Sequence, residues 1–244
     1  MQEERYIRRT DFSRRVKRLP VCFCIDTSGS MDAIDTKLPY TVTGSTKRFV
    51  DSDNWVDADG VTYMEEVMDG LKVFYEAILD DDDARDSCEC AIVTFNDTPT
   101  LYEGFDAVTR KSVPDFTRLP QGNTNITPAI EMCLDVLEKQ KDFYKVNRMK
   151  HYQPWLVLFT DGLATDDVSR IQYRLMNMQD NDKLVVYTMA LGDDPALLKH
   201  LREYSKMKPI ACKDADIIKK SFKRLAQSVS IASVGGSPLE DFNF

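Results

Sequence analysis

The sequence predicts a single α/β domain with a doubly wound, mostly parallel central sheet and helices on both faces. Three observations point there. Largely apolar segments without alternation, at 20–25, 89–95, 155–159 and 184–191, read as strands, and such strands need a covering layer on each face of their sheet. They alternate with segments whose apolar residues recur at three and four, the period of a helix with one buried face. Hydrophobic residues make up 43 % of 244 positions, ample for one packed core, and no internal repeat divides the chain.

The elements follow in order. A first strand runs to Ile25. Residues 32–60 are rich in Thr, Ser, Asp and Gly, have little periodicity and read as irregular, with short strands at 40–43 or 47–50. A helix begins after Thr62, with Met64, Val67, Met68, Leu71, Phe74, Tyr75 and Ile78 on its apolar face. Thr62 followed by Glu65 is a capping-box pattern. The run Asp80-Asp81-Asp82-Asp83 opposes the dipole at that helix's end, which predicts fraying into a solvated loop; a calcium site is the rarer alternative. Strands at 89–95 and 99–105 are joined by a turn at Asn96-Asp97. Thr127-Pro128 places proline near a helix start, and Ile130, Cys133, Leu134 and Leu137 carry that helix towards Phe143. Then come a strand at 155–159, a helix at 168–178, a strand at 184–191, a helix at 195–204, a short strand at 209–212 and a last helix at 217–231. The organisation read from this is a basic arm at 1–18, a domain at 19–231 with an insertion at about 32–60, and a loose tail at 232–244.

Charge and cysteine usage bound the function. Forty acidic against 32 basic residues give a formal net charge of −8, which argues against non-specific binding to nucleic acid or anionic membranes. The arm, with Arg5, Arg8, Arg9, Arg14, Arg15, Lys17 and Arg18 interleaved with Tyr6 and Phe12, forms a basic run; it reads as a solvated or protein-docking arm before a phosphate-tracking one. No segment is apolar for long enough to span a bilayer, and the start lacks the apolar stretch of a secretory signal. The expectation is a cytoplasmic protein. Cys22 and Cys24 lie two apart on one strand, and Cys88 and Cys90 two apart at the start of the next. Zinc sites present thiolates from turns at wider spacing, so these read as small core residues, as do Cys133 and Cys212.

Three segments carry chemistry. Asp26-Thr27-Ser28-Gly29-Ser30 follows the first strand, Gly122-Asn123-Thr124-Asn125-Ile126 opens a helix, and Phe159-Thr160-Asp161-Gly162 closes another strand. Asp26, Ser28 and Ser30 are hard oxygen donors of the kind magnesium and calcium prefer. Asp26 and Asp161 both end apolar strands, and in a doubly wound sheet those ends share the ligand-binding edge. Thr160 reads as a strand residue and not as a ligand. The competing reading is a helix cap or closed turn.

These segments, in this order, resemble the metal-ion-dependent adhesion site of von Willebrand factor A domains, a Rossmann-like fold, over roughly 19–231. The resemblance implies hydroxyl ligands from Ser28, Ser30 and Thr124 and carboxylates from Asp26 and Asp161, directly or through water. It implies magnesium, with manganese or calcium as alternatives. The wording of the motifs is similar to the bacterial intracellular branch that includes tellurite-resistance-type proteins. The implied function is a non-enzymatic adaptor whose metal receives a Glu or Asp from a partner protein, in a stress, metalloid-resistance or kinase–phosphatase system, or beside an AAA+ ATPase. A magnesium-dependent hydrolase is the lesser alternative: a phosphatase using Asp26 as nucleophile needs an acid two residues on, where Ser28 stands, and there is no P-loop. His151 and His200 lie outside the three segments. The insertion leaves the site loop directly. It is read either as a lid whose Asp32, Asp35, Asp51, Asp53, Asp57 or Asp59 reaches the metal, or as a partner-reading surface of Tyr40, Phe49 and Trp55. A further candidate ligand for a neighbour's metal is the tail, where Glu240 and Asp241 lie between Leu239 and Phe242.

Overall fold

The computed structural model of the chain describes residues 16–34, 39–51, 54–117 and 119–237, with the backbone alone described at 44–51 and 54–58. Strand β1 (Leu19–Asp26) is buried at every residue. Strands β2 (Thr41–Asp51) and β3 (Asn54–Asp59) pair antiparallel as a separate ribbon. Helix α1 (Tyr63–Leu79) opens on the expected capping box, with Glu65 N–H donating to Thr62 Oγ1 and the Glu65 carboxylate accepting from Thr62 N–H. The short helix α2 (Asp82–Ser87) leads into β4 (Cys88–Phe95), which turns into β5 (Pro99–Ala107). Then follow α3 (Ile126–Val146), β6 (Trp155–Thr160), α4 (Ser169–Asp180), β7 (Val185–Leu191), α5 (Pro195–Leu201), β8 (Ile210–Cys212) and α6 (Ala215–Ser233).

Six strands form one sheet in the order β5-β4-β1-β6-β7-β8. All neighbours are parallel except β4 and β5. The chain leaves β1 towards β4 on one side and returns to β6 on the other, so the order reverses between β1 and β6. One face of β1 (Val21, Phe23, Ile25) packs with Phe74 of α1 and Phe222 of α6; the other (Cys22, Cys24) packs with Ile130 and Cys133 of α3. Among the described residues no helix is long and apolar enough to cross a membrane.

Two expectations change. The 32–60 stretch holds an 11-residue strand paired with β3, where the sequence suggested irregular chain with short strands. Its Gly and Asp residues have weak strand preference, and the ribbon is set by cross-strand pairing that a local reading does not see. The acidic run is no loose loop either. Asp81 caps α2 by accepting from Ala84 N–H at 2.8 Å, and Asp82 and Asp83 occupy its first turn. Charges that disfavour the end of α1 favour the start of α2. The cysteines are core residues. Parallel register sets Leu19 beside Cys88 and Val21 beside Cys90, so Cys88 and Cys90 share the α1/α6 face while Cys22 and Cys24 lie on the α3 face. The two pairs are separated by the sheet, and all six thiols are free and buried.

Residues 1–15 of the basic arm and 238–244 of the tail lie outside the described residues. Arg18 pairs with the Glu89 carboxylate at 3.7 Å and Lys17 Nζ sits 3.8 Å from the Tyr152 ring centroid, which ties the chain entering β1 to the end of the sheet opposite Asp26.

Helix α1 crosses α6 at Gly70. A methyl group there would sit 2.1 Å from the Phe222 ring, itself stacked on Phe159 at 4.8 Å. Alanine improves helix propensity by about 1 kcal/mol, but overpacking a filled core costs about 1–3 kcal/mol. Gly70→Ala should therefore lower stability by up to about 2 kcal/mol in urea unfolding, opposite in sign to the propensity effect.

Candidate metal centre

The three segments meet at the switch point between β1 and β6, where doubly wound sheets bind ligands. Asp26 ends β1 with no exposed surface. The chain then turns sharply: Ser28 N–H donates to Asp26 Oδ1 at 2.7 Å, and residues Gly29–Asp32 form a single 3-10 turn. Thr27 anchors that loop to β4 through its N–H and hydroxyl, both donating to Phe95 O. The loop before α3 is laced to it, with Gly29 N–H donating to Gly122 O at 3.1 Å and Gln121 N–H to Thr27 O at 2.9 Å.

Side chains from separate segments now touch. Ser28 Oγ and Ser30 Oγ are 3.2 Å apart, and Ser30 Oγ donates to Asp161 Oδ1 at 2.9 Å. Thr124 is buried beside Gly162: a methyl group built on that glycine would lie 3.5 Å from Thr124 Oγ1. Asp26, Ser28, Ser30, Thr124 and Asp161 are thus brought to one place from sequence separations of more than 130 residues. Of the insertion's candidate carboxylates, Asp32 is half-buried and Asp59 exposed; Tyr40 is exposed. Asp35 and Asp53 lie outside the described residues, as do the side chains of Phe49, Asp51, Trp55 and Asp57, and the tail's Leu239, Glu240, Asp241 and Phe242.

The electrostatics of the pair are unfavourable as they stand. Burial pushes the Asp26 carboxyl up to about 7, with the Asp161 charge adding to the shift and hydrogen bonds from Thr160 and Ser28 opposing it. Burial also raises Asp161, against its bond from Ser30. Among the described residues neither carboxylate has a cationic partner. Two carboxylates and three hydroxyls, with no nitrogen or sulfur donor, suit a hard divalent cation, so the donor set fits one. No group of three or more His, Cys, Asp or Glu side chains is placed to hold a metal among the described residues; this centre has two carboxylates only and relies on hydroxyls.

Three residues matter that the motifs did not mark. Thr160 Oγ1 donates to Asp26 Oδ2 at 2.6 Å and receives Gly162 N–H at 3.2 Å, so it orients Asp26. Asp97 lies in the β4–β5 turn. Its Oδ1 accepts from Asn123 N–H at 3.1 Å and Nδ2 at 2.7 Å, and its carboxylate fills the space a side chain on Gly122 would need. Gly122 has φ +73°, a conformation that favours glycine. Asp97 therefore shapes the turn that presents Thr124. Asp166 caps α3 from a distance, accepting from Ile126 N–H at 2.8 Å and Thr127 N–H at 2.9 Å. In the sequence Asp97 and Asp166 are ordinary loop aspartates, and Thr160 is a strand residue.

Two outcomes are expected. Asp97→Ala should weaken divalent-cation binding by roughly tenfold in titration calorimetry while far-UV circular dichroism is unchanged, the scale seen when a ligand's supporting bonds are removed. The second concerns pH. Asp26 moves from an ordinary 3.8 to about 7 in the folded protein, so the metal-free native state holds a proton that the unfolded chain has released. Stability from this group is full below about pH 4 and is lost as pH rises through about 7. The same proton competes with a cation, so magnesium should raise the melting temperature progressively more between about pH 5 and pH 8. Melting curves with and without magnesium that stay parallel across that range would contradict this.

The von Willebrand factor type A domain family matches residues 21–163, more than half of the chain. Similar solved structures include the PilB minor pilin from Streptococcus sanguinis (TM-score 0.61, 14 % identity, 91 % of this chain and 64 % of the pilin). Others are proximal thread matrix protein 1 from the mussel byssus with a zinc-occupied MIDAS motif (0.54, 14 %, 91 % and 47 %) and the ArnB paralog VWA2 from Sulfolobus acidocaldarius (0.50, 17 %, 86 % and 45 %). The chain spans less than two thirds of the length of each, and at these identities the likeness is one of fold. A search of curated proteins returned no significant match. With the switch-point geometry and the family match together, the chain belongs to the von Willebrand factor type A domain family.

Proposed function

We propose that the chain is a non-enzymatic protein-interaction module that receives a Glu or Asp side chain of a partner protein at a divalent cation, with magnesium the preferred ion. The observation that carries this is the Asp26–Asp161 pair: two carboxylates brought together beside three hydroxyls, without a cationic side chain among the described residues, at the ligand-binding edge of the sheet. A bound divalent cation supplies an electrophilic position for one more anionic oxygen. The residues themselves do the rest. Thr160 and Ser28 hold the Asp26 carboxylate at both oxygens, Ser30 holds Asp161, and Thr124 adds a hydroxyl from the facing loop. The mussel protein's zinc-occupied MIDAS motif supports metal binding on this fold.

The non-enzymatic reading is supported by what surrounds Asp26. Position 28 is a serine, with no useful acidity near neutral pH. The histidines are engaged elsewhere, His151 stacked on Tyr144 and His200 hydrogen-bonded to Tyr204. We further infer a cytoplasmic adaptor of the tellurite-resistance-like type, in a stress, metalloid-resistance or kinase–phosphatase system. An AAA+ ATPase partner is the alternative.

A pull-down from host lysate in magnesium, in EDTA and with Asp26→Ala tests the reading. A protein retained only by the intact chain in magnesium is the expected result, and its identity chooses between kinase, phosphatase and ATPase. Equal retention under all three conditions would overturn the metal-receptor reading.

A further inference from the structure

We propose that the acidic side chain received at this centre is flanked by lysine or arginine in the partner, and that the rim of the centre selects for that context. The inference rests on the metal-receptor reading above and names the partner's chemistry. The loops after the four central strands carry Asp32 after β1, Asp97 after β4, Asp166 and Asp167 after β6, and Asp193 and Asp194 after β7. Among the described residues of those loops (27–34, 96–98, 161–168 and 192–194), and of 119–125 beside them, there is no lysine or arginine. By composition alone, residues 35–60 hold Lys37, Lys47 and Arg48 against Asp35, Asp51, Asp53, Asp57 and Asp59.

Neighbouring strands lie about 4.8 Å apart, so these strand ends fall within roughly 10 Å of Asp26 across the sheet, close to one Debye length at physiological salt. Several of the carboxylates are held in place. Asp97 is bonded to Asn123, Asp166 to the first amides of α3, Asp167 to the N–H and hydroxyl of Ser169, and Asp194 to Ala196 N–H. The Ser169 bonds hold Asp167 below the usual carboxylate range.

The middle of this ring is a ligand position. Thr124 is 6 % exposed, and its hydroxyl oxygen would lie 3.5 Å from a methyl group built on Gly162, beside Asp161. A doubly charged cation there leaves the edge negative, since Asp97, Asp166, Asp167, Asp193 and Asp194 alone outweigh it. A bare acidic segment is repelled before it reaches the metal. A carboxylate carried among cationic side chains is attracted, with its neighbours facing the rim aspartates.

The test is a positional peptide library with one fixed central Glu, probed with the full chain in magnesium, alongside EDTA and a library with Gln at the fixed position. Enrichment of Lys or Arg over Asp or Glu at flanking positions by about fivefold or more is expected, shrinking as salt rises. The double variant Asp167→Asn, Asp193→Asn should reduce that enrichment about twofold. Binding that needs magnesium and the central Glu but shows neutral or acidic flanks overturns the rim proposal and leaves the receptor reading standing. Binding indifferent to EDTA and to the Gln library, or no binding at all, overturns the receptor reading and this inference with it.

Discussion

Asp26 is buried at the carboxyl end of β1, and a carboxylate taken out of water there must be hydrogen-bonded, neutralised or paired. The surrounding structure supplies the first of these. Ser28 N–H, two residues on in the same loop, holds one oxygen, and Thr160 Oγ1, brought alongside by the pairing of β1 with β6, holds the other. Asp161 sits across from it, and the second carboxylate raises the cost of ionising the first. The site is therefore poised: protonated or cation-bound it is satisfied, ionised and empty-handed it is strained. That one electrostatic constraint links the fold's stability to pH.

The fold makes this arrangement affordable in structural terms. Parallel strands β1 and β6 are neighbours with their carboxyl ends level, and the reversal of strand order between them opens the crevice. The β4–β5 turn, which carries no ligand, braces the crevice from the side. Phe95 O holds Thr27, Asn96 O accepts from Asn125 N–H, and Asp97 holds Asn123. The site's geometry is thus distributed over four segments, one more than its donor set. On the far side of the sheet, the contact of Gly70 with Phe222 locks α1 to α6 under the same strand.

How much of this was legible depends on the range of the interaction involved. Apolar runs, helix periodicity and the Thr62–Glu65 capping box are local, and the elements they predict are present with boundaries shifted by up to three residues. The acidic run 80–83 misled because the dipole argument was applied to one helix only; the same charges begin the next. The ribbon β2–β3 was anticipated only as short strands at 40–43 or 47–50, because cross-strand pairing, and not composition, sets its extent. Asp97, Thr160 and Asp166 carry no local signature, since each acts on a residue 26 to 134 positions away.

The sequence by itself determined the alternation of strands and helices, the two-sided burial of the central strands, and the placing of Asp26 and Asp161 at strand ends, because each follows from the period and polarity of neighbouring residues. Only the tertiary structure decided which face of the sheet each cysteine pair joins, that Ser30 reaches Asp161, and which loop aspartates shape the site or rim it. Those depend on strand order and register, which are settled by long-range packing and by the hydrogen bonds that close one loop on another.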